Sequence, residues 1–177
     1  MVTLIGRCSR DRARQGLVVG ILIPSSLRQK LIELARRGAP DEVCGILGGK
    51  NGTVTRIFPV RNAAEDVSAD QGFFRDRVSG QATGGRRAVH YYMDPRDQLR
   101  VYNEIDDFDL EVVGYYHSHT HTEARPSPTD IRLASDLAAV YVLVGLQPEP
   151  AVRAWRIVKD DPGDETGELE ELPLTFL

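Results

Sequence analysis

His117-Ser118-His119-Thr120-His121-Thr122-Glu123-Ala124-Arg125-Pro126-Ser127-Pro128-Thr129-Asp130 is the stretch on which the reading of this chain turns. It gathers three of the four histidines within five residues, at the end of a predicted strand from Leu110 to His119. Alternate residues of a strand face one side, so the imidazoles of His117 and His119 project together, a natural bite for one metal ion. His121 joins them only if the strand continues. Ser127-Pro128-Thr129-Asp130 then reads as a helix start, with a serine N-cap, proline at the first helical position and an acidic partner three residues on. A strand-to-helix connection can swing the Asp130 carboxylate back to the strand's end. Two imidazoles and one carboxylate are the three protein ligands of an open zinc site, in which zinc lowers the pKa of its water to about 7 and polarises a carbonyl. Such a site still needs a base. Glu42 is the best placed by sequence, but spacing alone does not choose it over Glu104 or Glu111.

Outward from this stretch the chain alternates strand and helix signals. Leu17 to Ile23 is β-branched and apolar, and Pro24-Ser25-Ser26 supplies a break and an N-cap. Leu27, Leu31, Ile32, Leu34 and Ala35 recur at helical spacing until Gly38 and Pro40 close the helix. Asp41 to Leu47 reads as a strand, Asn51-Gly52 as a tight hairpin turn, and Thr53 to Phe58 as the returning strand. Arg61 to Arg87 shows little periodicity and reads as a long loop, either a bare insertion or a flap with its flexible piece at Gly80 to Gly85. Val89 to Met93 is expected as a strand. Asp94-Pro95 opens a second helix, with Leu99, Tyr102 and Ile105 as its buried stripe. Ala138 to Leu146 is apolar on both faces, as a central strand should be, and Ala151 to Val158 adds another. The order predicts an α/β fold, one domain with a mixed sheet flanked by helices.

The 177 residues suit one domain, divided as a basic tail over 1–16, the domain proper over 17–158 and an acidic tail over 159–177 that reads as a linker with a docking strand. No apolar run approaches the roughly 20 residues of a membrane-spanning helix. The first 16 residues lack a secretory pattern, so a cytoplasmic location is expected. Two cysteines, Cys8 and Cys44, exclude a disulfide scaffold and a four-cysteine zinc module. A net charge of −4 argues against a nucleic-acid partner. Cys44 reads as a small buried filler, and His121 as a residue of the site's rim.

The string His117-Ser118-His119, seven residues, Ser127, two residues and Asp130 resembles the signature of the JAMM/MPN+ (JAB domain) zinc metallopeptidases. Asp41-Glu42-Val43-Cys44-Gly45-Ile46-Leu47 is similar to that family's upstream glutamate segment, and the likeness spans about residues 17 to 158. The resemblance implies a cytidine-deaminase-like architecture and one Zn2+ per chain held by His117, His119 and Asp130. It further implies Glu42 as general acid/base on the zinc-bound water and Ser127 as hydroxyl donor to the oxyanion. Tyr116 to Thr120, then Thr122-Glu123-Ala124 and Pro126-Ser127, is most like the short bacterial Mec-type peptidases, which release cysteine from a sulfur carrier. The implied partner is thus a ubiquitin-like sulfur carrier protein ending in Gly-Gly, as its cysteine adduct or another conjugate, with a homodimer admitted. Two features depart from that group: a longer loop from Asp66 to Arg87, and the extra His121.

Three rivals stand beside this reading. One is an isopeptidase that removes a ubiquitin-like modifier from lysine side chains. A second is a noncatalytic scaffold of the same fold, disfavoured because all five family positions are filled. The third, a nucleobase deaminase, matches His121-Thr122-Glu123 but needs a later Cys-x-x-Cys, and no cysteine follows.

Overall fold

The computed structural model describes residues 20–67, 74 and 85–177; the basic tail over 1–16, Leu17 to Val19 and most of the Gly80 to Gly85 piece lie outside them. Strand β1 (Ile21–Ile23) leads into helix α1 (Ser25–Gly38), which buries Leu31, Ile32 and Ala35 and sets Arg36 and Arg37 in its last turn, where the helix dipole favours cations. Strands β2 (Cys44–Lys50) and β3 (Thr53–Val60) form the expected hairpin. Its turn residues Asn51 and Gly52 have φ of 52° and 74°, the left-handed pair that a two-residue turn of this kind requires.

Helix α2 (Pro95–Asp107) is capped by the Asp94 carboxylate, which accepts from the Arg96 and Asp97 amides. Its buried stripe differs from the expected one. Val101 and Ile105 are buried, whereas Leu99 is 61% exposed, because it lies two residues from Val101 and so roughly 200° around the helix. Strand β4 (Glu111–His119), helix α3 (Pro128–Leu133), strand β5 (Tyr141–Gly145) and strand β6 (Ala151–Val158) follow. The run Val89 to Met93 is not a strand: it leaves a 3-10 turn at Arg86–Ala88 and forms one isolated bridge, Met93 with Asn62. Asn62 explains this, since its side chain donates to the His90 carbonyl and accepts from the Tyr92 amide, which is what a neighbouring strand would do.

The acidic end does not run free after Lys159. Glu168–Leu172 forms strand β7 against β6, and Leu174–Phe176 forms β8 beside β1. Cross-strand charge explains β7, because Glu170 and Glu171 meet Arg156 and Arg153 of β6. Among the described residues the strands form one mixed sheet in the order β7-β6-β5-β4-β2-β3-β1-β8. Only Pro173 separates β7 from β8, yet they pair at opposite ends of that order, so the sheet curls until its two ends meet. The Pro173 carbonyl accepts from the Ile21 amide at that junction. Helix α1 packs with the core cluster of Leu47, Tyr116, Val142, Val152 and Ala154. The opposite sheet face carries two further clusters, one with α2 around Ile46 and Phe58, the other around Leu143 and Trp155.

Candidate metal centre

The site lies at the C-terminal end of β4, where the strand is central and flanked by β2 and β5. Tyr115, His117 and His119 share one face of the strand by its alternation. His117 and His119 are buried, and their Nε2 atoms stand 3.2 Å apart. Helix α3 returns Asp130 to them: its Oδ1 is 3.4 Å from His117 Nε2 and its Oδ2 3.3 Å from His119 Nε2. One ligand atom from each of these three residues falls within 4.8 Å of the others. His119 Nδ1 lies 3.1 Å from the Glu123 carbonyl, which takes its hydrogen and leaves Nε2 free for a metal. A convergent two-imidazole, one-carboxylate set fits a zinc ion with an open position.

Ser127 and Asp130 also make the helix start that their spacing predicts. The Ser127 Oγ accepts from the Asp130 amide at 3.2 Å, and the Asp130 carboxylate accepts from the Ser127 amide at 2.6 Å. The serine hydroxyl keeps its own hydrogen for donation.

Charge in the site follows from burial and from these neighbours. Burial holds His117 below the usual imidazole range, so its nitrogens stay neutral. Burial also works against charge on His119, but the Asp130 and Glu42 carboxylates outweigh it and lift that imidazole. Asp130 is the reverse case: desolvation disfavours its charge, yet the two imidazoles hold it well below the usual carboxylate range.

Glu42 reaches the site through the strand register. Cys44 pairs with His117 across β2 and β4, so two residues further along the same antiparallel register Glu42 stands opposite His119. It is 7% exposed, and desolvation pushes its carboxyl up to about 8 against the pull of His119. Three contacts fasten its backbone. The Glu42 amide donates to the Arg87 carbonyl, its own carbonyl accepts from Asn62 Nδ2, and the next residue, Val43, donates to Ser118 Oγ. Glu104 and Glu111 take no part: Glu104 pairs with Arg100 on the surface of α2, and Glu111 begins β4, roughly 26 Å of strand from its far end.

Ser118, Asn62 and Tyr91 were not legible as site residues in the sequence. Ser118 had a local signal, since it separates two candidate ligands and points to the strand's other side. Asn62 and Tyr91 had none. The Tyr91 ring stacks on His117 at 4.2 Å between centroids, and a cavity of about 360 Å³ opens beside Asp130, walled by Tyr91, Met93, Tyr102, Tyr115 and Tyr141. His121 is exposed beyond the end of β4 and outside the donor set, and Cys44 is buried in the sheet. None of the helices among the described residues is long and apolar enough to cross a membrane.

The chain is similar to known proteins over most of its length. The family described as prokaryotic homologs of the JAB domain matches residues 24–158. A protein of Mycobacterium tuberculosis named CysO-cysteine peptidase is 35% identical over 150 residues, covering 82% of this chain and 88% of that protein. A Haloferax volcanii protein named desampylase is 29% identical over 153 residues, covering 83% and 91%. A solution structure from Desulfitobacterium hafniense superposes with a TM-score of 0.65 at 27% identity, covering 89% of this chain and 92% of that one.

Proposed function

This chain belongs to the prokaryotic JAB-domain family, and from that premise we propose that it is a zinc-dependent peptidase acting on a ubiquitin-like sulfur carrier protein. It hydrolyses the amide after the carrier's C-terminal Gly-Gly and releases cysteine. The reading rests above all on the convergence of His117, His119 and Asp130 beside a buried Glu42. The name of the Mycobacterium relative supports the choice of substrate.

His117 Nε2, His119 Nε2 and one Asp130 oxygen would hold the ion. Bound zinc supplies a Lewis acid for the scissile carbonyl and makes water acidic enough to give up a proton near neutral pH. Glu42 takes that proton on a carboxylate oxygen and returns it to the departing amine, the work of a general base and then a general acid. Its burial gives it affinity for the proton, and the contacts to Asn62, Arg87 and Ser118 on its flanking backbone limit its drift. Ser127 Oγ–H donates to the carbonyl oxygen as charge develops there. Glycine on the acyl side lets the substrate backbone approach closely, which a Cβ would hinder.

The Haloferax relative favours a second reading, in which the leaving amine is a lysine side chain of a conjugated protein. Both are tested by offering the zinc-loaded chain a carrier-Gly-Gly-Cys adduct and a carrier-Gly-Gly-lysine conjugate, with products followed by mass spectrometry. Release of cysteine in preference to lysine is the expected result. Preference for the lysine conjugate would overturn the first reading in favour of the second, and a metal-loaded chain that cleaves neither would overturn both.

A further inference from the structure

His119 is oriented by a carbonyl of the loop that follows β4, and that loop has no regular partner strand to hold it. The Thr120 hydroxyl donates to the Pro40 carbonyl and the Arg125 amide to the Glu123 carbonyl, and the fastening from outside the loop's own neighbourhood at 123–124 comes from β6. Trp155 Nε1–H donates to the Ala124 carbonyl at 2.9 Å, and the preceding carbonyl, that of Glu123, is the one facing His119 Nδ1 at 3.1 Å. One peptide unit therefore separates the indole's acceptor from the imidazole's acceptor. Gly145 makes the fit possible from below: a Cβ there would come within 2.3 Å of the Ala124 nitrogen and 2.6 Å of the Glu123 carbonyl carbon.

Trp155 is itself fixed. It is 3% exposed and packs with Ala124, Leu143 and Ile157. The guanidinium groups of Arg125 and Arg153 lie 5.6 and 4.8 Å from its ring centroid. Arg153 is in turn held by a two-point contact with Glu171 of β7, at 2.8 and 2.6 Å. A continuous set of contacts thus runs from β7 through Arg153 and Trp155 to the loop and the imidazole.

We infer that Trp155 is a positioning residue for the metal centre, latching the 123–124 backbone so that the Glu123 carbonyl holds the His119 ring with Nε2 toward Asp130. The inference rests on the metal site proposed above. Partners outside the ligand set typically change metal affinity by 10- to 100-fold when removed, and a residue acting through one peptide unit belongs at the lower end of that range.

The test compares the full chain with Trp155→Phe, which keeps an aromatic ring and loses the N–H donor. Val152→Ala is the control, because Val152 lies on the other face of β6 in the α1 core and its truncation weakens the fold without touching the loop. Zinc affinity by chelator competition, the visible spectrum of the cobalt-substituted protein and amide hydrogen exchange over 120–126 in the metal-free protein are the readouts. The expected result for Trp155→Phe is about tenfold weaker zinc binding, an altered cobalt spectrum and faster exchange in the loop, with Val152→Ala changing none of the three. Unchanged loop exchange and unchanged affinity in Trp155→Phe would overturn the latch, as would an equal loss of affinity in Val152→Ala. A wild-type chain that binds no metal would overturn the site itself, and the exchange measurement on metal-free protein would still decide whether Trp155 holds the loop.

Discussion

Glu42 stands across from His119 because Cys44 pairs with His117, and the antiparallel register carries both strands two residues further. The proposed general base and a proposed metal ligand are thus set by one strand pairing and not by a flexible loop. Replacing Glu42 with Gln keeps the shape of the side chain and removes the proton acceptor. Zinc content should stay at one per chain while turnover of the carrier conjugate falls by about 100-fold or more. Metal analysis and rate measurement on the same preparation check both halves.

The burial of Glu42 also has a consequence for stability in the metal-free protein. Its folded pKa is about 8 against 4.5 in the unfolded chain, so the folded state holds the proton more tightly. The associated stability is complete below about pH 4.5, falls as pH rises and is lost above about pH 8. Glu42→Gln has no such loss and should be more stable than wild type by roughly 4 kcal/mol at pH 9, with little advantage at pH 4.5. Urea unfolding of the two metal-free proteins at the two pH values tests this. Zinc should shrink the difference, because a cation nearby favours the ionised carboxylate.

Ser127 caps α3, and substitutions can separate that role from its proposed one as donor to the oxyanion. Ser127→Ala loses the N-cap of α3 and should cost about 1 kcal/mol of stability, whereas Ser127→Gly costs only a few tenths. If the hydroxyl also donates to the oxyanion, both variants should lose rate alike, by about 100-fold. Thermal melts alongside kinetics decide: a rate that tracks stability would leave Ser127 with capping alone.

Asn62 ties together four backbone groups, donating to the carbonyls of Glu42 and His90 and accepting from the amides of Ala64 and Tyr92. Asn62→Ala strands several of them and should cost about 2 to 4 kcal/mol. Because the same residue anchors Glu42 and the run that carries Tyr91, activity should fall further than that of a core variant of equal stability, with zinc retained. Denaturant midpoints and rates at a temperature where both variants are folded make the comparison.

The proposed metal ligands were readable because their geometry is local. Two residues apart on a strand is enough to bring His117 and His119 to one face, and a capping box is enough to orient Asp130 at the first turn of α3. The Asn51-Gly52 turn and the Asp94-Pro95 helix start were legible for the same reason, since both depend on backbone preferences of adjacent residues. Leu99 misled because every third residue of a helix is only an approximate stripe, and the packing partners of α2 on β2 and β3 choose which rotation is buried.

By itself, then, the sequence determined the donor types, their spacing, the family resemblance they carry and the alternation of strands and helices, all of which follow from contacts within a few residues. Tertiary structure alone decided which glutamate faces the imidazoles, that an acidic tail closes the curled sheet through Arg153 and Arg156, and that Asn62 and Trp155 brace the site through contacts to residues 20 and 31 positions away. Such pairings depend on strand register and on the order in which the sheet assembles, and neither is encoded in the periodicity of any one segment.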